Sequence, residues 1–373
     1  MKVIHIQLFP ILSGVQKVTL DEIEANHKQI TYGLITQSEG PLTNRVSAFN
    51  VKSFLVESLC REISIWRDIR SLVSMYIILK SEAPDIVHTH SSKTGILGRL
   101  AARLAGVKKI IHTVHGFSFP STNSLVFKLL FFCLEFAASK ITDTLIVMNK
   151  KDEQISLKYF KNSRCRISYV ANSVDRRIFY PASIHDKSKL KSDFFKNDKF
   201  VIGFVGRLDA QKNPVEFLRA AHQVLNVRKD VIFYIIGNGS LHVEIESFIN
   251  DFGLNSNIRL LGWRSNVYDF LRFTDILVST SLYEGMPLNL LEAMSSGVAV
   301  IASDVTGNQD LIVNESNGFL YELGDHEKLA RKICLLIEDD NLRSRFIEKS
   351  LNITETLHDP DLRINTINSI YTN

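Results

Sequence analysis

The 373-residue sequence predicts an α/β protein of two successive doubly wound units, each a parallel β-sheet with helices on both faces. Three observations predict it. Short apolar runs rich in Val and Ile recur along the whole chain, with longer amphipathic stretches between them. The runs are apolar on both faces, as strands buried under helices on either side must be. The rhythm breaks once, over the polar stretch 176–199, which divides the length into two parts near the usual domain size of about 150 residues.

In the first half the expected strands are KVIHIQLF (2–9), ITYGLIT (30–36), DIVHTH (85–90), KIIHTVHG (109–116), TLIVMN (144–149) and RISYVAN (166–172). Helical patterns fall between them, at roughly 15–27, 64–80, 94–105, 124–138 and 150–160. The second half repeats the scheme with FVIGFVG (200–206), VIFYIIG (231–237), IRLLGW (258–263), DILVSTS (275–281) and VAVIAS (298–303). The expected organisation is a first domain over 1–175, a linker over 176–199 and a second domain over 200–355. A C-terminal helical segment, 356–373, is expected to pack back on the first domain. Ligands of such sheets bind beyond the C-terminal strand ends.

Composition narrows the class. With 45% hydrophobic and 23% charged residues the chain is globular rather than disordered. Apolar runs are broken by charge before the roughly 18 residues a membrane span needs. The N-terminus reads as a strand rather than a signal peptide. Cys60, Cys133, Cys165 and Cys334 lie too far apart for paired metal or redox work, which fits a reducing, cytoplasmic compartment. Residues 1–175 hold 22 Lys and Arg against 14 Asp and Glu, whereas 176–373 hold 22 against 26. A basic half can face an anionic partner such as a membrane surface, or can be chance between two domains. No nucleic-acid recognition motif supports a nucleic-acid partner.

The densest chemical signal is SLYEGMPLNLLEAMSSGVAVIASD, 281–304. It follows a strand and opens a helix at Pro287, where a missing N–H costs nothing. Gly297 stands where a helix C-cap belongs. The free amides of Gly285, Met286, Leu288 and Asn289 then gather at a positive helix end, an anion site suited to phosphate. Glu284 in the turn and Glu292 in the helix can both reach toward the strand ends. Alone, the two read more readily as solvated acids at a helix start. A second strand-end loop, GRLDAQKN (206–213), adds Arg207 and Lys212 just before a helix beginning near Asn213-Pro214. A guanidinium fork and a point charge beside a helix N-terminus suit a diphosphate.

On these two signatures the chain resembles the retaining, GT-B-fold glycosyltransferases of family 4, in which two Rossmann-like domains face a central cleft. Their E-x7-E motif matches Glu284 and Glu292, and their G-R-L-x-x-x-K motif matches Gly206, Arg207, Leu208 and Lys212. The resemblance implies transfer of a hexose or N-acetylhexosamine from a nucleotide-diphosphate sugar, with UDP the expected carrier. It implies that Arg207 and Lys212 bind and stabilise the leaving diphosphate. It gives Glu284 to the donor-sugar hydroxyls and Glu292 to the ribose, with the amides of Gly285, Met286 and Leu288 on the distal phosphate or sugar. The loops GNG (237–239) and GWR (262–264) then line the nucleotide, through Asn238 and Arg264. Gly14 lets the first helix approach the diphosphate, and His115 faces the donor sugar.

The chain departs from the family pattern in places. It has Ser13-Gly14 where two glycines are common, Val298-Ala299-Val300 where Pro-Val is common, and Thr306-Gly307-Asn308 with Asp310 in the following turn. The last variant fits polysaccharide transferases.

The mechanism the resemblance implies is a front-face retaining transfer, in which the departing phosphate helps deprotonate the acceptor. It uses no cofactor beyond the sugar nucleotide, and Arg207 with Lys212 replaces the charge of a metal. His88, His90 and His112 read as core histidines. His88 and His90 share a strand face, but no acid or cysteine nearby completes a ligand set.

Residues 117–140 carry Phe at 117, 119, 127, 131, 132 and 136, in a helix apolar nearly all round, with only Lys128 and Glu135 charged inside it. Such a helix is either buried or meets lipid. Its basic neighbours favour peripheral docking on the inner face of the plasma membrane, with a lipid-linked saccharide as acceptor in O-antigen or capsule synthesis. The alternatives are a soluble acceptor with the helix packed inside, or a sugar-nucleotide epimerase of similar fold. A dehydrogenase is disfavoured, because GNGSLH (237–242) fails the last position of its fingerprint.

Overall fold

The computed structural model describes the whole chain except Ser118, Pro120, Ser121, Asn123 and residues 196–198. The expected features 117–140 and 176–199 therefore lie partly outside the described residues. Two compact units form, Met1–Asn172 with Arg363–Asn373, and Ser173–Leu362.

The first unit is a seven-stranded parallel sheet in the order β3-β2-β1-β4-β5-β6-β7. Its strands are β1 (Lys2–Ile6), β2 (Thr31–Thr36), β3 (Lys52–Leu55), β4 (Ile86–His90), β5 (Lys109–Val114), β6 (Thr144–Val147) and β7 (Arg166–Tyr169). The helices are α1 (Gly14–Asn26), α2 (Pro41–Ser47), α3 (Ile65–Glu82), α4 (Ser92–Ala105), α5 (Leu125–Ser139) and α6 (Lys150–Tyr159). Val3, Ile4, Ile35, Val87, Ile110, Ile111 and Ile146 are fully buried on the two faces. Each such side chain is worth roughly 1.5–3 kcal/mol relative to exposure. α4 lies unusually close to the sheet. A Cβ on Gly95 would come within 2.3 Å of the His112 ring, and one on Gly98 within 2.9 Å of Ile6 and Thr89.

The second unit has a six-stranded parallel sheet in the order β10-β9-β8-β11-β12-β13. In chain order it runs α7 (Ile184–Phe195), β8 (Phe200–Val205), α8 (Pro214–Val227), β9 (Val231–Ile236), α9 (His242–Asp251), β10 (Ile258–Gly262) and α10 (Val267–Leu271). It continues with β11 (Ile276–Ser279), α11 (Leu288–Ser295), β12 (Ala299–Ser303), α12 (Asn308–Leu311), β13 (Phe319–Tyr321), α13 (His326–Glu338) and α14 (Asp340–Leu357). The last helix, α15 (Pro360–Thr372), returns to the first unit. There Arg363 pairs with Glu22 at 2.8 Å, and Asn368 exchanges amide hydrogen bonds with Asn26.

Two features differ from the sequence expectation. β3 and β13 were not foreseen, and both are edge strands of three or four residues. At four and three residues they are too short to carry a periodic run. The stretch 176–199, expected as a linker, carries α7, which is fastened to its own unit. Lys187 and Lys191 bracket Asp275 at 2.9 and 2.6 Å. Burial alone would raise the Asp275 carboxyl, but the two ammonium groups win and hold it below its ordinary value.

In α5 the polarity is inverted, which is compatible with the lipid-facing alternative rather than a packed core helix. Its acid, Glu135, points inward to the fully buried Arg99 of α4 at 2.8 Å. Leu125, Val126 and Leu129 point out, at 81%, 76% and 64% exposure. α3 lies alongside α4, which in turn packs against α5. Ile65, Trp66, Ile69, Val73 and Ile77 of α3 are exposed as well. No helix among the described residues is long and apolar enough to cross a membrane.

Candidate donor-binding and catalytic site

The second sheet reverses direction of growth between β8 and β11. β9 and β10 add on one side of β8, while β11, β12 and β13 add on the other. Loops leaving the C-terminal ends of two strands diverge at such a point and leave a crevice. The two motifs sit in those loops.

After β8 the chain turns through Gly206-Arg207-Leu208 and reaches α8 through Asn213, whose φ of 49° is left-handed. After β11 it runs through Tyr283-Glu284-Gly285 to α11. The two loops are laced together. The backbone N–H of Leu282 donates to the carbonyl of Gln211 at 2.8 Å, and the Gln211 amide donates to the Tyr283 carbonyl at 3.2 Å. The Thr280 hydroxyl reaches the carbonyls of Lys212 and Asn213 at 3.0 and 2.8 Å. This lacing brings Lys212 Nζ to 2.5 Å from Glu284 Oε1, with both side chains largely buried. Arg207 is more open, pairing with Asp209 at 3.1 Å and donating to Gln211 at 2.7 Å.

Two further loops close on the first. The N–H of Leu208 donates to the Asn238 carbonyl at 3.0 Å, and that of Gly237 to the Gly262 carbonyl at 2.9 Å. The approach is tight enough to demand glycine. A Cβ on Gly237 would lie 1.8 Å from the Gly206 carbonyl oxygen, and one on Gly239 would lie 2.3 Å from that of Leu208. Asn238 and Arg264 are exposed on these loops.

α11 begins one residue later than expected, with Pro287 as its N-cap. The Asn289 side chain ties the helix to the site by donating to the Val205 carbonyl at 2.8 Å. Glu292 lies half-buried on the second turn. Gly307, at φ +88°, presses against the Glu284–Gly285 backbone, where a Cβ would come within 2.6 Å of the Gly285 oxygen. That contact explains the Thr306-Gly307-Asn308 turn. The arrangement presents two cations, one carboxylate and a helix N-terminus, which suits a negatively charged leaving group next to a hydroxyl-rich one.

Of the predicted residues, Arg207, Lys212, Asn238, Arg264, Glu284, Gly285 and Met286 therefore fall on interlocked or neighbouring loops of one sheet, and Leu288 and Glu292 on α11, which one of those loops opens. Gly14 and His115 belong to the other unit. Gly14 is the first residue of α1, and His115 lies one residue beyond β5.

In that first unit the structure gathers what sequence spacing showed only in part. His5 on β1 pairs in register with His88 on β4, so His5, His88 and His90 share one face. Their ligand atoms lie within 4.8 Å of one another, the one such group among the described residues. The buried carboxylate of Glu22 stands 3.7–3.9 Å away. Burial lowers all three imidazoles, His5 to about 3 and the others well below their ordinary value. His112 lies on the opposite face, under Gly95. His5 and Glu22 are distant in sequence from the His-x-His pair, and only strand pairing brings them to it.

Comparison with known proteins accords with this geometry. The family model described as Glycosyltransferase Family 4 matches residues 12–177, and that described as Glycosyl transferases group 1 matches 186–352. The UDP-Gal:alpha-D-GlcNAc-diphosphoundecaprenol alpha-1,3-galactosyltransferase of Escherichia coli is 43% identical over 342 residues, covering 91% of this chain and 88% of its own. A GalNAc-alpha-(1->4)-GalNAc-alpha-(1->3)-diNAcBac-PP-undecaprenol alpha-1,4-N-acetyl-D-galactosaminyltransferase from Campylobacter jejuni is 26% identical, over 83% of this chain and 80% of its own. Among solved structures, Anabaena HepE, crystallised with UDP and glucose, superposes with a TM-score of 0.85 at 17% identity, covering 100% of this chain and 99% of its own. The chain therefore belongs to glycosyltransferase family 4, and is a glycosyltransferase of the GT-B fold.

Proposed function

We propose that this enzyme moves a hexose, galactose in the first instance, from a UDP-sugar to a saccharide carried on a polyprenyl diphosphate, with retention at the anomeric carbon and without a metal ion. The observation that carries the reading is the Lys212–Glu284 pair, set at the switch point of the second sheet beside the N-terminus of α11. The Escherichia coli relative, named for a UDP-galactose donor and an undecaprenyl-linked acceptor, supports the choice of sugar and lipid.

The chemistry follows from charge. Breaking the sugar–phosphate bond puts negative charge on the departing diphosphate, and a preorganised cation there lowers the barrier most. Lys212 has three N–H donors and gives one to Glu284, which leaves others for phosphate oxygens. Arg207 adds a planar fork. Together they supply the charge a divalent cation would. Glu284, aligned by Lys212, accepts from sugar hydroxyls, and Glu292 accepts from the ribose. The departing phosphate, on the same face as the acceptor, takes the acceptor proton. His115 is kept as the sugar-facing histidine that the family resemblance implies.

The inverted helix α5 supports a membrane-side acceptor. It exposes Leu125, Val126, Phe127 and Leu129, with Lys128 and Lys140 exposed on and just beyond the same helix, and α3 separately exposes Trp66. Such a face suits the headgroup region of an anionic bilayer at the inner side of the plasma membrane.

The test is UDP release from a panel of UDP-sugars with GlcNAc-diphosphoundecaprenol, with and without EDTA, followed by NMR of the product anomer. Release from UDP-galactose that needs the lipid acceptor, survives EDTA and yields an α-linked product is expected. A β-linked product overturns the retaining assignment. Full loss in EDTA that Mg²⁺ restores overturns metal independence.

A further inference from the structure

The first sheet reverses its direction of growth between β1 and β4, and a file of imidazoles runs along these two strands toward their C-terminal end. His5 Nδ1 and Thr19 Oγ1 lie 3.0 and 3.2 Å from His90 Nε2, and His90 Nδ1 lies 3.2 Å from His115 Nε2. At the inner end, His5 Nε2 is buried with no hydrogen-bond partner and faces Glu22 Oε2 at 3.9 Å. Glu22, fully buried on α1, accepts from Arg363 at 2.8 Å and from the Tyr371 hydroxyl at 3.2 Å. His88 stands to one side, bonded to Tyr371 Oη at 2.8 Å and Thr113 Oγ1 at 2.7 Å.

These rings are neutral. Burial and the Arg363 charge bring His5 and His115 down to about 3, and burial with neighbouring imidazoles brings His90 well below its usual value. A neutral imidazole has one N–H and one lone pair, so two imidazole–imidazole hydrogen bonds in series must run the same way. Either every proton points toward Glu22, or every proton points away.

The inner end decides between them. A buried guanidinium needs a counter-anion, and Glu22, 2.8 Å from Arg363, supplies it although burial raises its carboxyl. An anion 3.9 Å away in a buried setting favours an N–H over a lone pair on His5 Nε2. His5 then accepts at Nδ1, His90 donates from Nε2 and accepts at Nδ1, and His115 donates from Nε2.

We propose that Glu22 is a positioning residue for His115: through His5 and His90 it fixes the His115 proton on Nε2 and leaves Nδ1 as an acceptor for a substrate hydroxyl. The proposal rests on the reading of His115 as a substrate-facing residue. Its logic is that of the second group behind any functional histidine, extended through two further rings.

Histidine-selective ¹⁵N labelling of the full chain reads the tautomers, the His115 ring being identified by its loss in His115→Asn. The wild-type ring is expected as the Nε2–H tautomer. Glu22→Gln can turn an N–H toward His5, and should move His115 toward Nδ1–H. His5→Phe cuts the file and should give a mixture. In both variants kcat should fall by about tenfold while KM for the sugar nucleotide stays within about threefold. If loss of the Arg363 partner prevents folding, Glu22→Gln with Arg363→Met restores charge balance. A wild-type ring protonated on Nδ1, or a His115 tautomer unchanged in both folded variants, overturns the file whatever the activity. A fully active His115→Ala enzyme instead overturns the substrate-facing reading and the role built on it, while the tautomer shifts still report the file itself.

Discussion

Lys212 Nζ stands 2.5 Å from Glu284 Oε1, two residues separated by 72 positions in sequence and joined at the ends of adjacent strands β8 and β11. Their contact converts two separate loops into one charged surface. Lys212→Ala or Glu284→Ala should lower kcat/KM by at least about 10²–10³-fold. Because each partner orients the other, the double variant should lose much less than the product of the single effects. Steady-state UDP release on the four proteins checks both statements, and near-wild-type rates in either single variant would sink the assignment.

The GNG loop depends on having no side chains. Gly237→Ala or Gly239→Ala drives a methyl into the Gly206 or Leu208 carbonyl, and should cost the second unit about 2–4 kcal/mol. Gly106→Ala is the contrast. Its φ of +80° is left-handed, but no atom lies within 4 Å, so about 1 kcal/mol of backbone strain is expected. Urea denaturation of the three variants separates clash from strain.

Acid should destabilise the first unit. His5, His88, His90, His112 and His115 all have folded pKa values depressed below the ordinary 6.5 by burial. The unfolded chain therefore binds protons below pH 6.5 that the native unit refuses. Their stabilisation is fully present above that pH and declines as pH falls toward the folded values, by roughly 1.4 kcal/mol per unit for each ring. Glu22 works the other way, since its pKa is raised by burial, and offsets part of the loss. Hydrogen exchange at pH 7.5 and 5.5 should show the first unit opening before the second. Equal protection at both pH values would count against neutral buried rings.

The outward face of α5 should be separable from folding. Leu125→Glu with Leu129→Glu changes two side chains that are 81% and 64% exposed, so stability should shift by no more than about 0.5 kcal/mol each. Flotation with anionic vesicles should show salt-sensitive binding of the wild type and little of the variant. Equal flotation of the two proteins argues that α5 does not meet the bilayer.

How far the sequence reached can be judged residue by residue. Strands buried on both faces leave a continuous apolar signature, so eleven of the runs quoted above fall on observed strands. The edge strands β3 and β13 did not, because four and three residues are too few to stand out as an apolar run. Arg207, Lys212, Glu284 and Glu292 were legible because loop motifs at strand ends keep residue type and spacing together within a few positions. Glu22 and His5 were not, since a buried acid on α1 and a histidine in β1 look like ordinary core positions until β4 is paired beside them.

Local patterns were enough for the class: two parallel α/β units, and a family signature that points to a nucleotide-sugar donor. Tertiary structure alone decided which residues touch. It set Lys212 against Glu284, lined His5, His90 and His115 into one file, and turned the apolar face of α5 outward by burying Glu135 against Arg99. The physical reason is range. Periodicity and caps act over a few residues and are written locally, whereas charge pairing and the direction of a hydrogen-bonded file depend on atoms brought together from opposite ends of the chain.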